Sequence, residues 1–170
     1  MNTTSAHGPT SHQPRHDGME SGHHSDPYLE RRKPPEPSTC PDCQASFHQG
    51  RWSWETPPAG ASSHRCPACE RIRDGMPAGE LTLSGAFLAA HADEVMRLVN
   101  NTDDRVRMEH PLERLIDTSG DPATGPVLLR FTGIHATHGL GKALVKAFGG
   151  SLEAPYPEPG APMRAHWQRD

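Results

Sequence analysis

The sequence predicts an α+β fold, in which a small zinc ribbon is followed by a four-stranded, mainly antiparallel sheet with helices on one face. Two Cys-Pro-x-Cys pairs separated by 22 residues indicate the ribbon. An amphipathic helical stretch follows, and helix-like and strand-like segments then alternate to the C-terminus. We therefore expect a disordered tail at 1–39, a metal module at 40–80 and an α+β domain at 81–170.

The first 39 residues have the composition of a tail. Serine, threonine, histidine, glycine and proline dominate there, and no apolar periodicity is present. Scattered histidines in such a segment rarely form a metal site, so we assign none to them. The short basic run Arg31, Arg32 and Lys33 precedes two prolines and is typical of a solvated linker.

The metal module contains the strongest chemical signal in the chain. Two CxxC turns can each present two sulfurs to one ion, and thiolates in this pattern complete a tetrahedral shell with no open position for a substrate. A forty-residue segment with so few apolar residues also needs such a ligand in order to fold. We predict one structural Zn²⁺, bound by Cys40, Cys43, Cys66 and Cys69.

Other chemistries of these cysteines stay open at this point. A rubredoxin-like iron site uses the same four sulfurs. Thioredoxin-like redox chemistry requires a CxxC pair at the head of a helix in a βαβ context, and none is visible around Cys40. His48 or His64 could replace one cysteine as a ligand, but four sulfurs already complete the set.

Length and charge narrow the class of protein. No run approaches the roughly 18 to 20 apolar residues of a membrane helix, and the N-terminus lacks the order of a secretion signal. We therefore expect a soluble protein of the cytoplasm, a compartment in which cysteines stay reduced. The formal net charge of −4 does not indicate a general nucleic-acid binder, so an anion-binding surface must be local.

The elements of the second domain follow from periodicity and turn signals. The chain is predicted to turn helical from Leu81: Ser84 can cap an amphipathic helix that contains Leu88, Ala92, Val95 and Val99, and a shorter helix follows Thr102 and stops before Pro111. The remaining predicted elements are a hairpin of strands at 112–118 and 127–132, a helix at 135–148, and a second hairpin at 152–156 and 163–169.

Two groups of side chains are candidates for contact with RNA. Arginines beside exposed aromatic rings can touch phosphates and stack bases, and an open sheet face that carries arginine and histidine can do the same. The candidates are Arg51, Trp52 and Trp54 in the ribbon, and Arg130, Arg164 and His166 on the sheet. The alternative is that these side chains have only structural roles. Tryptophans in a small module usually form its core, and sheet faces often expose polar side chains to solvent.

The sequence contains no convincing set of catalytic residues. The GLGKAL stretch at 139–144 lies inside a helical pattern and lacks the spacing of a phosphate-binding loop. His135 and His138 begin a predicted helix without carboxylate partners nearby in sequence, which favours packing or capping. No nucleophile, base and orienting acid occur together, so we predict that the protein is not an enzyme.

Several stretches resemble a family of short bacterial zinc-ribbon proteins over roughly residues 27–170. They are CPDC at 40, GRWSW at 50, RCPAC at 65, RIRDGMPAGELTLSGAFL at 71 and EHPLERLID at 109. That family is distantly similar to the N-terminal part of the nonsense-mediated decay protein 3 family, the export adaptors of the large ribosomal subunit. The second likeness rests on CxxC pairs followed by a strand, a helix and a sheet, here FTGIHATHGLGKALVKAFGG at 131.

The resemblance implies an accessory protein of RNA or ribosome biology. The chain departs from both families. The export adaptors have more CxxC pairs than the two present here, and the bacterial relatives carry arginines where this chain has Thr137, His138 and Gly139. The predicted function is therefore a zinc-dependent, non-catalytic binding module associated with RNA or a ribonucleoprotein. A protein–protein adaptor with a purely structural zinc is the alternative, and a rubredoxin-like or CxxC redox protein is third.

Overall fold

The computed structural model describes residues 26–28 and 33–170. The predictions for the histidines of 1–25 and for Arg31 and Arg32 lie outside these residues. Within them the chain forms two sheets and four helices, so the predicted α+β class is confirmed.

The first sheet belongs to the ribbon and has four short strands. They are β1 Ser38–Thr39, β2 Ser46–His48, β3 Arg51–Ser53 and β4 Ser62–Ser63, in the order β3-β2-β1-β4. Strand β1 pairs antiparallel with β2 and parallel with β4. It lies within 1–39, where the sequence predicts a tail, because its backbone completes this sheet and Ser38 is fully buried. Helix α1, Pro67–Asp74, follows β4.

The second sheet has five strands rather than the four predicted. They are β5 Gly79–Ser84, β6 Leu115–Ser119, β7 Val127–Phe131, β8 Ser151–Glu153 and β9 Met163–Gln168, in the order β6-β7-β5-β9-β8. The β6–β7 and β8–β9 pairs are the two predicted hairpins. The additional strand is β5, which lies at the centre, antiparallel to β7 and parallel to β9.

Strand β5 corrects the prediction that the chain turns helical near Leu81. Leu81 and Leu83 are fully buried, whereas Thr82 and Ser84 alternate with them on the opposite face. This period of two is the pattern of a strand with one face against a core. The helical pattern begins only after Gly85.

Three helices cover one face of the second sheet, as predicted. They are α2 Ala86–Ala90, α3 Ala92–Glu109 and α4 Ile134–Phe148. The shorter helix expected after Thr102 is part of α3, because the buried Thr102 continues the stripe of Val95 and Val99 toward the core. Helix α3 ends at His110 and Pro111, where the sequence predicts its end.

The main core lies between these helices and the sheet. Leu81, Leu83, Val127, Leu129, Phe131, Ala165 and Trp167 of the sheet pack against Leu88, Val95, Val99, Ala136, Leu140 and Leu144 of the helices. Trp167 is fully buried and donates a hydrogen bond from Nε1 to the Gly149 carbonyl (2.9 Å). A second, smaller cluster surrounds the four cysteines.

Candidate metal centre

The four cysteine sulfurs converge on one point. All four Sγ atoms lie within 4.8 Å of one another, and those of Cys43 and Cys66 are 3.7 Å apart. A tetrahedral ion with Zn–S bonds of about 2.3 Å separates its sulfurs by about 3.8 Å, whereas a disulfide brings two sulfurs to about 2.05 Å. The cysteines are therefore free thiols with the spacing of a tetrahedral metal site.

Each CxxC pair is positioned by its own local structure. In the first pair, the Cys40 amide donates to the Ala45 carbonyl (2.8 Å) and the Gln44 amide donates to the Cys40 carbonyl (2.9 Å), which closes a tight turn. In the second pair, Cys66 is the N-cap of α1 and its sulfur accepts the Cys69 amide (3.4 Å). Helix N-termini stabilise negative charge, so the start of α1 offsets part of the cost of burying a thiolate here.

The donor set fits a metal ion bound entirely by protein. Thiolates suit zinc and iron in tetrahedral sites, and four of them fill the coordination shell. Cys40 and Cys66 are fully buried and Cys69 is nearly so, so little of the cluster reaches solvent. In the described part of the chain this is the one group of metal-ligating side chains, and neither His48 nor His64 belongs to it.

Arg114 lies directly against the cysteines, although it belongs to the second domain. Its guanidinium donates from Nη2 to the sulfurs of Cys43 and Cys66 (3.3 Å each) and from Nη1 to that of Cys69 (3.5 Å). A fourth bond runs from Nε to the Pro111 carbonyl (2.5 Å), and the residue is only 4% exposed. Four thiolates around a divalent ion carry a charge of about −2, so Arg114 offsets about half of it.

Trp54 adds a further link between the ribbon and the second domain. The Arg114 guanidinium lies over the indole, 5.6 Å from the ring centroid, within the range of a cation–π contact. Trp54 Nε1 donates to the carbonyl of Arg107 in α3 (2.6 Å). One ribbon side chain therefore contacts both Arg114 and α3.

Residues 111–114, termed here the joint segment, connect the metal centre to α4. Leu112 packs against the cysteine cluster, and the Arg114 amide donates to Thr132 Oγ1 (2.8 Å). Between them, Glu113 accepts a hydrogen bond at Oε2 from the Ala136 amide (2.9 Å) in the first turn of α4. Helix α4 begins at Gly133, which has no capping side chain, so Glu113 supplies the cap from a distance.

The surroundings shift the ionisation of the cluster. Burial is the largest influence on Cys69 and raises its pKa to about 11, and burial likewise raises the pKa of Cys66. Burial also acts on Cys40, but amide hydrogen bonds from Cys66, Cys43 and Asp42 together lower its pKa to about 7. The nearby thiolates raise the pKa of Arg114 despite its burial, so Arg114 stays charged.

The candidate RNA-binding residues of the ribbon already have structural partners. Trp52 packs against Phe47 (ring centroids 5.4 Å apart) and stacks on His64 (6.4 Å). Arg51 is exposed and lies 3.9 Å from the Glu55 carboxylate. With Trp54 bonded to α3, Arg51 is the most accessible of the three.

The candidates on the second sheet lie on a charge-balanced face. Arg130 pairs with Asp117, and Arg164 donates to Glu80 (3.2 Å). His166 Nε2 is 2.6 Å from the hydroxyl of Ser84. The six predicted residues thus divide between the ribbon and the second sheet, and both sheet arginines have a carboxylate partner.

Two grooves flank the joint segment. The first, termed the ribbon groove, has a cavity volume of about 890 Å³ between β3 and the end of α3. The second, termed the α1–α4 groove, has a volume of about 700 Å³. Leu112 and Glu113 line both, so the segment that carries Arg114 also forms walls of the two grooves.

Sequence reasoning identified the four cysteines but missed Arg114 and Glu113. The EHPLERLID stretch contains both, yet the contacts join residues 23 to 71 positions apart. A local signal existed only in the placement of Glu and Arg between apolar residues before a strand. Their partners become apparent only when the ribbon lies on the second domain.

Comparison with known proteins gives no relative. No protein-family model matches the chain, and neither does any curated protein or solved structure. Among the described residues, no helix combines the length and apolar character needed to cross a membrane. Function must therefore be inferred from the geometry of the site and its surroundings.

Proposed function

We propose that this protein is a non-catalytic protein-binding adaptor in which one zinc ion holds the ribbon against the α+β domain. The observation that carries the proposal is Arg114, which is buried and donates to three of the four sulfurs. A metal enclosed by four thiolates and covered by an arginine has no position for a substrate. Its role is then to shape the surfaces around it.

Zinc is the metal that this role requires. It has no redox chemistry and takes four sulfurs in tetrahedral geometry without further ligands. Metal analysis of the purified chain tests this, with about one equivalent of zinc expected. A red, iron-containing protein with a reversible one-electron couple would instead support the rubredoxin-like alternative.

Charge favours a protein partner over RNA. The ribbon groove is lined by three glutamates and a single arginine, and the sheet arginines Arg130 and Arg164 are paired with carboxylates. A polyanion gains affinity from unpaired cations, which release its counterions on binding. Neither candidate RNA surface provides a group of them.

Exposed apolar side chains support the same choice. Of the five large apolar residues that stand out as exposed in the described chain, four line one of the two grooves. They are Met108 in the ribbon groove, and Met76, Ile134 and Tyr156 in the α1–α4 groove. Apolar residues gathered on a concave surface are typical of protein interaction sites.

Affinity purification of the zinc-loaded chain, with and without nuclease, tests the proposal. We expect specific partner proteins that survive nuclease and are lost from the variant Met76→Glu/Tyr156→Glu. The variant Ala89→Glu/Ala147→Glu is the matched control, because it adds the same charge at exposed positions outside both grooves.

Partners that disappear with nuclease would overturn the adaptor proposal and favour RNA. In that event, RNA retention by the purified chain should fall with rising salt and in Arg130→Glu/Arg164→Glu. RNA retention equal to that of a neutral control protein would exclude the RNA alternative.

A further inference from the structure

The α1–α4 groove holds a short piece of the chain's own N-terminal region. Residues 26–28, with the sequence Asp-Pro-Tyr, line one end of the groove beside α1. We term them the DPY segment. Their main contacts are with α1, more than 40 positions away along the chain.

Arg71 of α1 forms the seat for this segment. It is only 6% exposed, forms an ion pair with Asp26, and lies with its guanidinium 4.4 Å from the centroid of the Tyr28 ring. It also donates from Nη1 to the Met76 carbonyl (3.1 Å). A buried arginine needs a carboxylate partner, and its guanidinium can also lie over an aromatic ring. The position of Arg71 therefore favours a ligand that supplies both groups.

Two further hydrogen bonds define the shape of the segment. The Tyr28 amide donates to Asp26 Oδ1 (3.0 Å), which makes a local Asx turn across Pro27. The Tyr28 hydroxyl donates to Asp74 Oδ2 (3.0 Å) at the end of α1. Acid, proline and aromatic residue therefore act together as one recognition unit.

The DPY segment makes its contacts with Arg71 and Asp74, and this part of the groove is termed here its polar end. Three apolar side chains of the groove, termed here its apolar end, stay exposed: Met76 is 53% exposed, Ile134 40% and Tyr156 97%. These three side chains line the same cavity as Arg71, and about 700 Å³ beside them is open. A longer occupant could make the polar contacts and also cover these apolar side chains.

We propose that the α1–α4 groove binds a segment of a partner protein in which an acidic residue, a proline and an aromatic residue are flanked by apolar side chains. The DPY segment occupies the polar end of the groove until the partner segment displaces it. This inference rests on the adaptor function proposed above and specifies the chemistry of the partner. The contacts of Arg71 determine the acidic and aromatic residues of the partner segment, and the exposed apolar end determines its flanking apolar side chains.

Competition between the two segments sets the expected affinities. A segment tethered to the same chain competes at a high effective concentration, which is of the order of millimolar for a short tether. The partner segment has to exceed this through burial of the apolar end of the groove. Substitutions that weaken binding of the DPY segment to the groove should therefore strengthen binding of a partner peptide.

Fluorescence anisotropy with a defined peptide tests the proposal on the full, zinc-loaded chain. The probe is a fluorescein-labelled peptide containing Asp-Pro-Tyr with leucines on both sides. We expect it to bind the variant Asp26→Ala/Tyr28→Ala at least tenfold more tightly than the unmodified chain. A peptide with Asn-Pro-Ala in place of Asp-Pro-Tyr should bind at least tenfold more weakly.

Arg71 provides the second arm of the test. In the Asp26→Ala/Tyr28→Ala background, Arg71→Met should abolish peptide binding, whereas Arg105→Met should leave it unchanged. Arg105 is the matched control because it is an exposed arginine of α3 outside the groove. Circular dichroism and bound zinc verify that each variant is folded.

Equal binding to the unmodified and the Asp26→Ala/Tyr28→Ala chains, or binding that survives Arg71→Met, would overturn the proposal. If the double variant does not fold, Asp26→Asn takes its place, because it removes only the ion pair and predicts a smaller increase in affinity, which Arg71→Met should again abolish. If nuclease-resistant partners are captured but this peptide does not bind, the groove inference fails while the adaptor function stands.

Discussion

At the scale of single residues, Arg114 explains how a metal site in one small module can affect a separate domain. Its side chain contacts three cysteine sulfurs, while its amide is bonded to Thr132 next to α4. The N–H···S contacts spread the negative charge of a metal–thiolate centre and hold the sulfurs in place. Arg114 is therefore a positioning residue of the metal centre.

Replacing Arg114 should weaken metal binding. Arg114→Met keeps much of the side-chain volume but removes the charge and the donors, and loss of an outer-shell partner typically lowers metal affinity by about 10- to 100-fold. Competition with a chromophoric zinc chelator measures the change. Arg107→Met is the control, since only the main chain of Arg107 contacts the site. Affinities of the two variants that agree within about twofold would show that Arg114 has no such role.

Zinc affinity should rise with pH. Cys69, with a pKa of about 11, and Cys66, with its raised pKa, are both protonated near neutral pH without metal. Metal binding needs thiolates, so at least two protons leave for each zinc bound. Lower pH favours the protonated, metal-free form, and below neutrality Cys40, with its pKa of about 7, also binds a proton, so affinity should fall by at least about 100-fold per pH unit there. Calorimetry in buffers of different ionisation enthalpy counts these protons, and release of fewer than two would contradict the assignment.

The cysteine ligands and Arg114 show what sequence reveals about a site. The four cysteines could be predicted because spacing within each CxxC pair is a local property. The contact of Arg114 with Cys43 spans 71 residues and depends on how two units meet, which no local pattern encodes. Trp52 and Trp54 illustrate the same limit. Before their packing partners are known, their rings are compatible with base stacking as well as with a place in the core of the ribbon.

At the scale of elements, strand β5 determines the architecture of the second domain. It lies at the centre of the sheet between β7 and β9, and its parallel pairing with β9 makes the sheet mixed. The sequence prediction missed it because the helical spacing of Leu88, Ala92, Val95 and Val99 dominates this stretch, whereas the period of two before it rests on Leu81 and Leu83 alone. Helix α4, most of α3 and both hairpins were predictable, since each has several turns or a clear turn signal, whereas α1 was not predicted.

Substitutions on the two faces of β5 test this correction. Leu83→Ala removes a fully buried side chain and should destabilise the protein by about 2 to 5 kcal/mol. Thr82→Ala, on the opposite and half-buried face of the same strand, should cost less than about 1 kcal/mol. Urea unfolding of both variants provides the comparison. Equal costs would mean that the segment does not alternate between core and surface.

At the scale of the whole molecule, two compact units meet at the joint segment. The main core lies within the second domain, and the small cluster around the cysteines includes Leu112 of the joint segment. Glu113 then connects this centre to the start of α4, and both grooves include the same residues. Metal occupancy should therefore affect the groove walls more than the centre of the sheet.

Hydrogen exchange after zinc chelation tests this coupling. The Ala136 amide, which donates to Glu113, should exchange at least tenfold faster without metal. The Leu83 amide in the centre of the sheet should change by less than about threefold, because the main core does not include the cysteines. Amide-resolved NMR measures both in one sample. Unchanged protection at Ala136 would show that the metal centre and α4 are independent.

The central claim is that four cysteines form one closed, structural zinc site. X-ray absorption at the zinc edge of the purified protein tests it most directly. We predict one zinc per chain, surrounded by four sulfurs at about 2.3 Å and no lighter ligand. A shell that contains nitrogen or oxygen, or a chain that folds fully around Cys40 and Cys66 without metal, would contradict the claim.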